Sequence, residues 1–159
     1  METLERALAR FLRVSSVISL VGLFILITAG VFVRFVPISS MGWADEVIEL
    51  AFAWMVFLGT ALLWGKRSHF RVDVLPTVLA GSPAGRFLEV GLQILCLAFF
   101  LVYTQQAGLL TVQSMDRSPI LDYPRAIWYL IMPVTGAVII GYIVRDLILL
   151  FRGKLRQWK

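Results

Sequence analysis

Four long apolar segments, separated by short polar connections, constrain this chain more than any other feature of its sequence. Residues 14–33, 50–65, 90–115 and 126–144 contain no Asp, Glu, Lys or Arg. A helix rises about 1.5 Å per residue and the hydrocarbon core of a bilayer is about 30 Å thick, so roughly 20 helical residues cross it. Only 16% of the chain is charged, against about 25% in an average soluble domain. The sequence therefore predicts an all-α integral membrane protein with four transmembrane helices.

The predicted spans cover residues 14–33, 44–65, 87–115 and 124–144 of a single membrane domain, residues 1–159. The first apolar run is too long for a secretory signal peptide, whose apolar core is about 7–15 residues, so we expect an uncleaved span. Before it, residues 1–13 place leucine and phenylalanine at helical spacing, which predicts an amphipathic N-terminal segment at the membrane surface. A short interfacial helix is predicted between spans two and three, starting near Asp73.

The distribution of basic residues predicts which side of the membrane each connection faces. Four spans place both termini on one side, and twelve of the 15 Lys and Arg residues fall on that side. The three others are Arg34, Arg117 and Arg125. Because basic residues favour cytoplasmic connections, both termini are predicted to be cytoplasmic, with their basic groups close to anionic lipids. The net charge of +5 thus reflects topology, and we expect no nucleic-acid partner.

The second span begins with three acidic residues, Asp45, Glu46 and Glu49. Asp45 and Glu49 are four residues apart and share one helix face, whereas Glu46 points elsewhere. One interpretation is structural: the carboxylates cap the helix and pair with Arg34 or Arg125 at the same membrane interface. The other is functional: they form an acidic surface that receives a partner. The two interpretations are compatible.

Further along the second span, Trp54 and Phe57 lie in mid-membrane. Trp54 is away from both interface belts, so we expect it to be a packing anchor rather than a lipid contact. Gly59 follows them, and glycine lets another helix backbone approach closely. The third span contains four glutamines, which we expect to hydrogen-bond a neighbouring helix: Gln93, Gln105, Gln106 and Gln113. Residues of this kind are typical of a protein that packs against other helices.

The residue types argue against an enzyme and against a bound cofactor. The chain has a single histidine, His69, and a single cysteine, Cys96, without a glycine-rich phosphate loop or a metal-ligand motif. A transporter acting alone normally holds an ionisable residue in mid-span, and Glu49 is the nearest candidate. Three interpretations stay open on these grounds: a subunit of a larger membrane complex, a small dimeric exporter, and a membrane anchor for a peripheral enzyme.

Several short motifs in order resemble one family, the small (DctQ-type) membrane subunit of tripartite ATP-independent periplasmic (TRAP) transporters. The motifs are Arg34-Phe35, Trp43-x-Asp45-Glu46, Trp54-x-x-Phe57-Leu58-Gly59-x-Ala61, His69-x-x-Val72-Asp73 and Ser118-Pro119-x-Leu121-x-x-Pro124. The resemblance covers essentially the whole chain.

The resemblance implies a non-catalytic subunit in the bacterial inner membrane. Its expected partners are a large multi-span subunit, which carries the substrate and sodium sites, and a periplasmic substrate-binding protein. The expected cargo is an organic acid, such as a dicarboxylate or a sialic acid, driven by a sodium gradient. The residues expected at partner interfaces or in structural roles are Arg34, Trp43, Asp45, Glu46, Glu49, Trp54, Phe57, Gly59, His69, Asp73 and Pro124.

Overall fold

The computed structural model describes residues 2–36, 41–66 and 83–152, and over those residues it is built from four α-helices. They are α1 (Glu2–Phe35), α2 (Gly42–Gly65), α3 (Pro83–Gln113) and α4 (Ala126–Phe151). All four are long and apolar enough to cross a membrane, which confirms the predicted all-α, four-span fold. The predicted interfacial helix, together with His69 and Asp73, lies outside the described residues.

Helix α1 runs without a break through the predicted amphipathic segment and the first span. Leu12 is buried in the core, and Leu8 packs against the same cluster. The apolar face of this segment therefore meets the other helices, which differs from the prediction that it lies along the membrane surface. The sequence pattern specifies an apolar face but does not specify whether protein or lipid covers it.

Helix α4 is the centre of the bundle. It packs against α2 and α3, while α1 packs against α2. The core contains Leu12 of α1, Leu58 and Ala61 of α2, and Ile139 and Ile143 of α4. On α3, aromatic and aliphatic side chains close the cluster, and Phe100 makes an edge contact with Trp64 of α2 at a ring-centroid distance of 5.1 Å.

The faces that point away from this core are largely apolar. Phe24 of α1 and Phe99 of α3 are 71% and 62% exposed. Such side chains would be costly on a water-facing surface, whereas the lipid tails are as apolar as leucine. The exposure pattern therefore fits a multi-pass membrane protein.

Candidate functional site

The carboxylate of Glu46 fastens the start of α2 to the α3–α4 loop, residues 114–125. It accepts hydrogen bonds from the Ser118 hydroxyl and from the backbone N–H groups of Ile120 (2.9 Å) and Leu121 (3.0 Å). Arg125 adds Coulombic attraction from a greater distance. The Glu46 side chain is only 9% exposed. Because hydrogen bonds to an ionised acceptor are shorter and stronger than neutral ones, this arrangement is a firm anchor between two parts of the chain.

The α3–α4 loop has a regular backbone structure of its own. The Ser118 N–H donates to the Tyr123 carbonyl at 2.9 Å, and the Asp122 N–H donates to the Ser118 carbonyl at 3.2 Å. Nearer the two helices that the loop joins, the Arg125 N–H donates to the Asp116 carbonyl at 2.9 Å. These bonds close the segment into a tight turn, so the loop presents a defined surface at this end of the bundle.

Asp122 lies at the point where the loop reverses direction. Its φ of 53° is in the left-handed region, which aspartate tolerates better than most non-glycine residues. Its carboxylate receives a hydrogen bond from the Arg117 guanidinium at 2.9 Å, and the same guanidinium donates to the Asp122 carbonyl at 3.1 Å. Both side chains are exposed, so this pair shapes the loop and contributes little to overall stability.

Pro124 joins the loop to α4. It forms an isolated antiparallel bridge with Arg117, and its carbonyl accepts the N–H of Ile127 at 3.1 Å. Proline has a fixed φ and no N–H, which suits a position just before a helix begins. Next to it, the Tyr123 ring packs on the buried Trp128 at a centroid distance of 5.6 Å.

The other two carboxylates near the start of α2 behave differently from Glu46. Asp45 and Glu49 are exposed, as are Trp43 and Arg34. Within the described residues, no ion pair joins either carboxylate to Arg34 or Arg125, and the first turn of α2 has no side-chain cap. Among the described residues, the structural role expected of the three acids is thus seen for Glu46, which bonds the Ser118 hydroxyl and two loop amides and is attracted by Arg125 without capping the helix.

Trp54 and Phe57 hold α2 against the core. Both are partly buried and pack on the cluster around Leu58, and the Trp54 indole N–H donates to the Ile127 carbonyl at 3.4 Å. This contact links the middle of α2 to the first turn of α4. Trp54 therefore contributes to packing within the chain itself.

Gly59 does not mark a close helix contact within this chain. A Cβ atom built on it would have nothing within 4 Å, so a role for Gly59 depends on a partner. The close approaches are at Gly65, where a Cβ would lie 2.6 Å from Cζ of Tyr142, and at Gly136, where it would overlap Oγ1 of Thr104. Sequence reasoning could not select these two because it does not give the rotation of each helix about its axis.

A second polar cluster, missed at the sequence level, joins three helices at the opposite end. We call it the Arg145 cluster: Glu5, Gly65, Tyr142, Arg145 and Asp146. The Arg145 guanidinium donates to Oδ1 of Asp146 through both Nε and Nη2, each at 2.8 Å. Its Nη1 lies 3.4 Å from a carboxylate oxygen of Glu5 on α1, and Nη2 lies 3.5 Å from the Gly65 carbonyl on α2.

The Arg145 cluster is compact and largely shielded from solvent. The Asp146 side chain is only 5% exposed, and the guanidinium carbon lies 5.0 Å from the centroid of the Tyr142 ring. That ring is the one that contacts Gly65. A single arginine thus connects the first turns of α1, the last residue of α2 and the last third of α4.

Both clusters, the one around Glu46 and the Arg145 cluster, hold separate segments of the chain together. In each, a charged side chain also reaches a segment distant in sequence: Glu46 reaches the α3–α4 loop, and Arg145 reaches Glu5 and the Gly65 carbonyl. Over the part of the chain that the structure describes, no three His, Cys, Asp or Glu side chains come together as a metal site.

Comparison with known proteins gives a family match. The family described as "Tripartite ATP-independent periplasmic transporters, DctQ component" matches residues 23–153, which include every residue that the sequence analysis expected at partner interfaces or in structural roles. The "C4-dicarboxylate TRAP transporter small permease protein DctQ" of Pseudomonas aeruginosa is 38% identical over 77 residues. That alignment covers 48% of this chain and only 33% of the relative. The alignment thus covers only a segment of each protein.

Proposed function

Because the chain belongs to the DctQ family of tripartite ATP-independent periplasmic transporter components, we propose that it is the small, non-catalytic membrane subunit of a sodium-driven uptake system for organic acids. The family is a transporter component, which confirms that the chain is not an enzyme and favours this function over an enzyme anchor or an autonomous exporter. In the proposed complex, the chain packs on the stationary scaffold of a large multi-span subunit.

The observation that carries the role in assembly is the anchored α3–α4 loop. Glu46 holds its amides, and the exposed carboxylates of Asp45 and Glu49 stand on the neighbouring face of α2. A surface with fixed backbone and exposed charge is suited to electrostatic docking of a soluble protein, because little conformational freedom is lost on binding. We assign this surface to the docking of the substrate-binding protein.

The proposed location is the bacterial inner membrane, with both termini in the cytoplasm. The twelve-to-three division of basic residues supports this orientation. It directs the Glu46 anchor toward the periplasm, where the binding protein resides, and the Arg145 cluster toward the cytoplasm, near anionic lipids.

The proposed cargo is a C4-dicarboxylate. The name of the Pseudomonas aeruginosa relative, a C4-dicarboxylate transporter permease, supports this class. Sialic acids are the alternative cargo. The residues that select the cargo belong to the proposed partners, so the cargo is tested on the whole complex.

Reconstitution in liposomes tests the proposal. We expect sodium-dependent uptake of a labelled C4-dicarboxylate when the chain is combined with its large subunit and binding protein. We expect none when the chain is reconstituted alone. Robust sodium-dependent uptake by the chain alone would overturn the subunit assignment, and uptake of sialic acid instead would overturn only the cargo.

A further inference from the structure

Two glutamine side chains on α3 point away from the rest of the chain at mid-membrane depth. Gln105 and Gln106 are both exposed, and within the described residues neither amide makes a side-chain hydrogen bond. Both were expected to bond a neighbouring helix, yet among the described residues α3 packs against α4 and Trp64, on its other side. No described residue of this chain therefore supplies a hydrogen-bond partner for either amide.

The depth of these amides follows from the contact beside them. Thr104 touches Gly136, which lies ten residues inside the start of α4 and fifteen before its end. Gly136 is thus about 15 Å from one end of the spanning helix and about 22 Å from the other. With a hydrocarbon core about 30 Å thick, Gln105 and Gln106 lie near its centre, beyond the reach of headgroup water.

Gln105 is part of a continuous exposed line on α3, which we call the α3 stripe, and Gln106 lies beside it. The stripe consists of Gly91, Leu95, Ala98, Val102, Gln105 and Leu109, all exposed and spaced alternately by four and three residues. This spacing keeps the residues on one side of a helix. Gly91 meets nothing within 4 Å, so the backbone is open to close approach there.

Lipid tails do not satisfy an amide, and an unpaired polar group in hydrocarbon is costly. A transmembrane helix that offers hydrogen-bonding side chains does satisfy it, and side-chain hydrogen bonds between helices are a regular feature of such contacts. We propose that the α3 stripe is the surface on which a transmembrane helix of the large subunit docks, with its polar groups paired to Gln105 and Gln106. This inference rests on the proposed function and names the face that the large subunit covers.

Site-specific photocrosslinking in the co-expressed complex tests the contact. A benzophenone side chain replaces Leu95 or Val102 on the stripe, which are 67% and 60% exposed. The control matched to Val102 replaces Val134, 48% exposed on the apolar face of α4 at a depth close to that of Val102. We expect adducts with the mass of this chain plus the large subunit from both stripe positions, and at least about fivefold less from Val134.

The glutamines are tested separately by co-purification with the large subunit. We expect the double variant Gln105→Leu, Gln106→Leu to weaken association about three- to thirty-fold, the range that interhelical hydrogen bonds produce. Gln113→Leu removes the same amide seven residues farther along, at the end of α3 where water is available, and should leave association unchanged. Equal retention of the double variant and the Gln113 variant would overturn the pairing.

The possible outcomes separate this inference from the proposed function. If the wild-type chain does not co-purify with the large subunit, the proposed function fails and this inference fails with it. If it co-purifies but the stripe positions give no protein adduct, lipid covers the stripe and only this inference fails. Adducts between two copies of this chain would show a self-association surface and overturn it equally.

Discussion

Arg145→Met removes the charge at the centre of the Arg145 cluster while keeping an unbranched, flexible side chain. The guanidinium makes two 2.8 Å hydrogen bonds to one oxygen of a carboxylate that is only 5% exposed. A hydrogen bond to a charged group contributes about 1.5–3 kcal/mol, and two that share an acceptor are not additive, so about 3 kcal/mol is lost with Asp146. The Glu5 pair is 3.4 Å long and partly exposed, and adds about 0–1 kcal/mol.

We therefore expect Arg145→Met to lower the free energy of unfolding by about 3–4 kcal/mol. Removing one partner of a buried ion pair typically costs about 3–5 kcal/mol. Because Asp146 makes further interactions, we expect a loss toward the lower end of that range. For a chain of this length, each kcal/mol shifts the melting temperature by about 2–4 °C. A decrease on the order of 10 °C should be visible in a thermal-unfolding scan of the detergent-purified subunit.

The matched control is Arg152→Met, at the end of the same helix. Arg152 is exposed, and its side chain can act only on the helix dipole, which contributes about 0.3–1 kcal/mol. The second control is a cycle with Asp146→Asn, in which the double variant should be far less destabilised than the sum of the single variants. Equal melting temperatures for the Arg145 and Arg152 variants, or additive effects in the cycle, would refute the anchoring role of Arg145.

Two further predictions concern α2. Glu46→Ala should expose the α3–α4 loop to proteolysis and reduce productive docking of the binding protein, because two backbone amides lose their acceptor. The control Glu49→Ala, on the exposed face, should leave the protease pattern unchanged. Equal cleavage of the two variants would contradict the anchoring role of Glu46. Gly65→Leu should destabilise the isolated subunit by displacing the Tyr142 ring. Gly59→Leu should leave the melting temperature of the subunit unchanged and weaken its co-purification with the large subunit. A greater loss of stability from Gly59→Leu than from Gly65→Leu would contradict a close contact within the chain at Gly65.

The four spans could be predicted because each one is encoded locally. A charge-free run of about 20 residues has few alternatives to a membrane helix, whatever the rest of the chain does. The acidic start of α2 and the turn residues between α3 and α4 were visible for the same reason. The hydrogen bonds between these two segments could not be predicted, since Glu46 and Ser118 are 72 residues apart in the sequence and no local pattern specifies their distance in space.

One sequence signal could have identified Glu46 as the buried carboxylate. It stands four, eleven and fifteen residues before Leu50, Phe57 and Ala61, which places it on the same helix face as the residues that pack in the core. Asp45 and Glu49 are on the neighbouring face, about 100° and 60° around the helix from Glu46 and away from the core, and are exposed. A carboxylate on a core-facing stripe requires several donors, and the neighbouring loop supplies them through its hydroxyl and amides.

The Arg145 cluster had no comparable signal. Arginine followed by aspartate near the end of a span is common at a membrane interface, and adjacent residues on a helix point about 100° apart. Here the long guanidinium bends back onto its neighbour and still reaches Glu5 and the Gly65 carbonyl. That geometry depends on how three helix ends converge, which only the packed structure defines.

The two clusters together fix α2 relative to the rest of the chain. Glu46, in its first two turns, is bonded to the loop that leads into α4, and Gly65, its last residue, is bonded to Arg145 near the end of α4. A slide of α2 by one helical turn, about 5.4 Å, would break both sets of bonds at once, whereas a slide of any helix held at only one end would break a single set. We therefore expect α2 and α4 to keep their relative position in the proposed complex. The movement that carries the cargo across the membrane is then expected in the large subunit, which we propose to meet the exposed faces of α2 and α3.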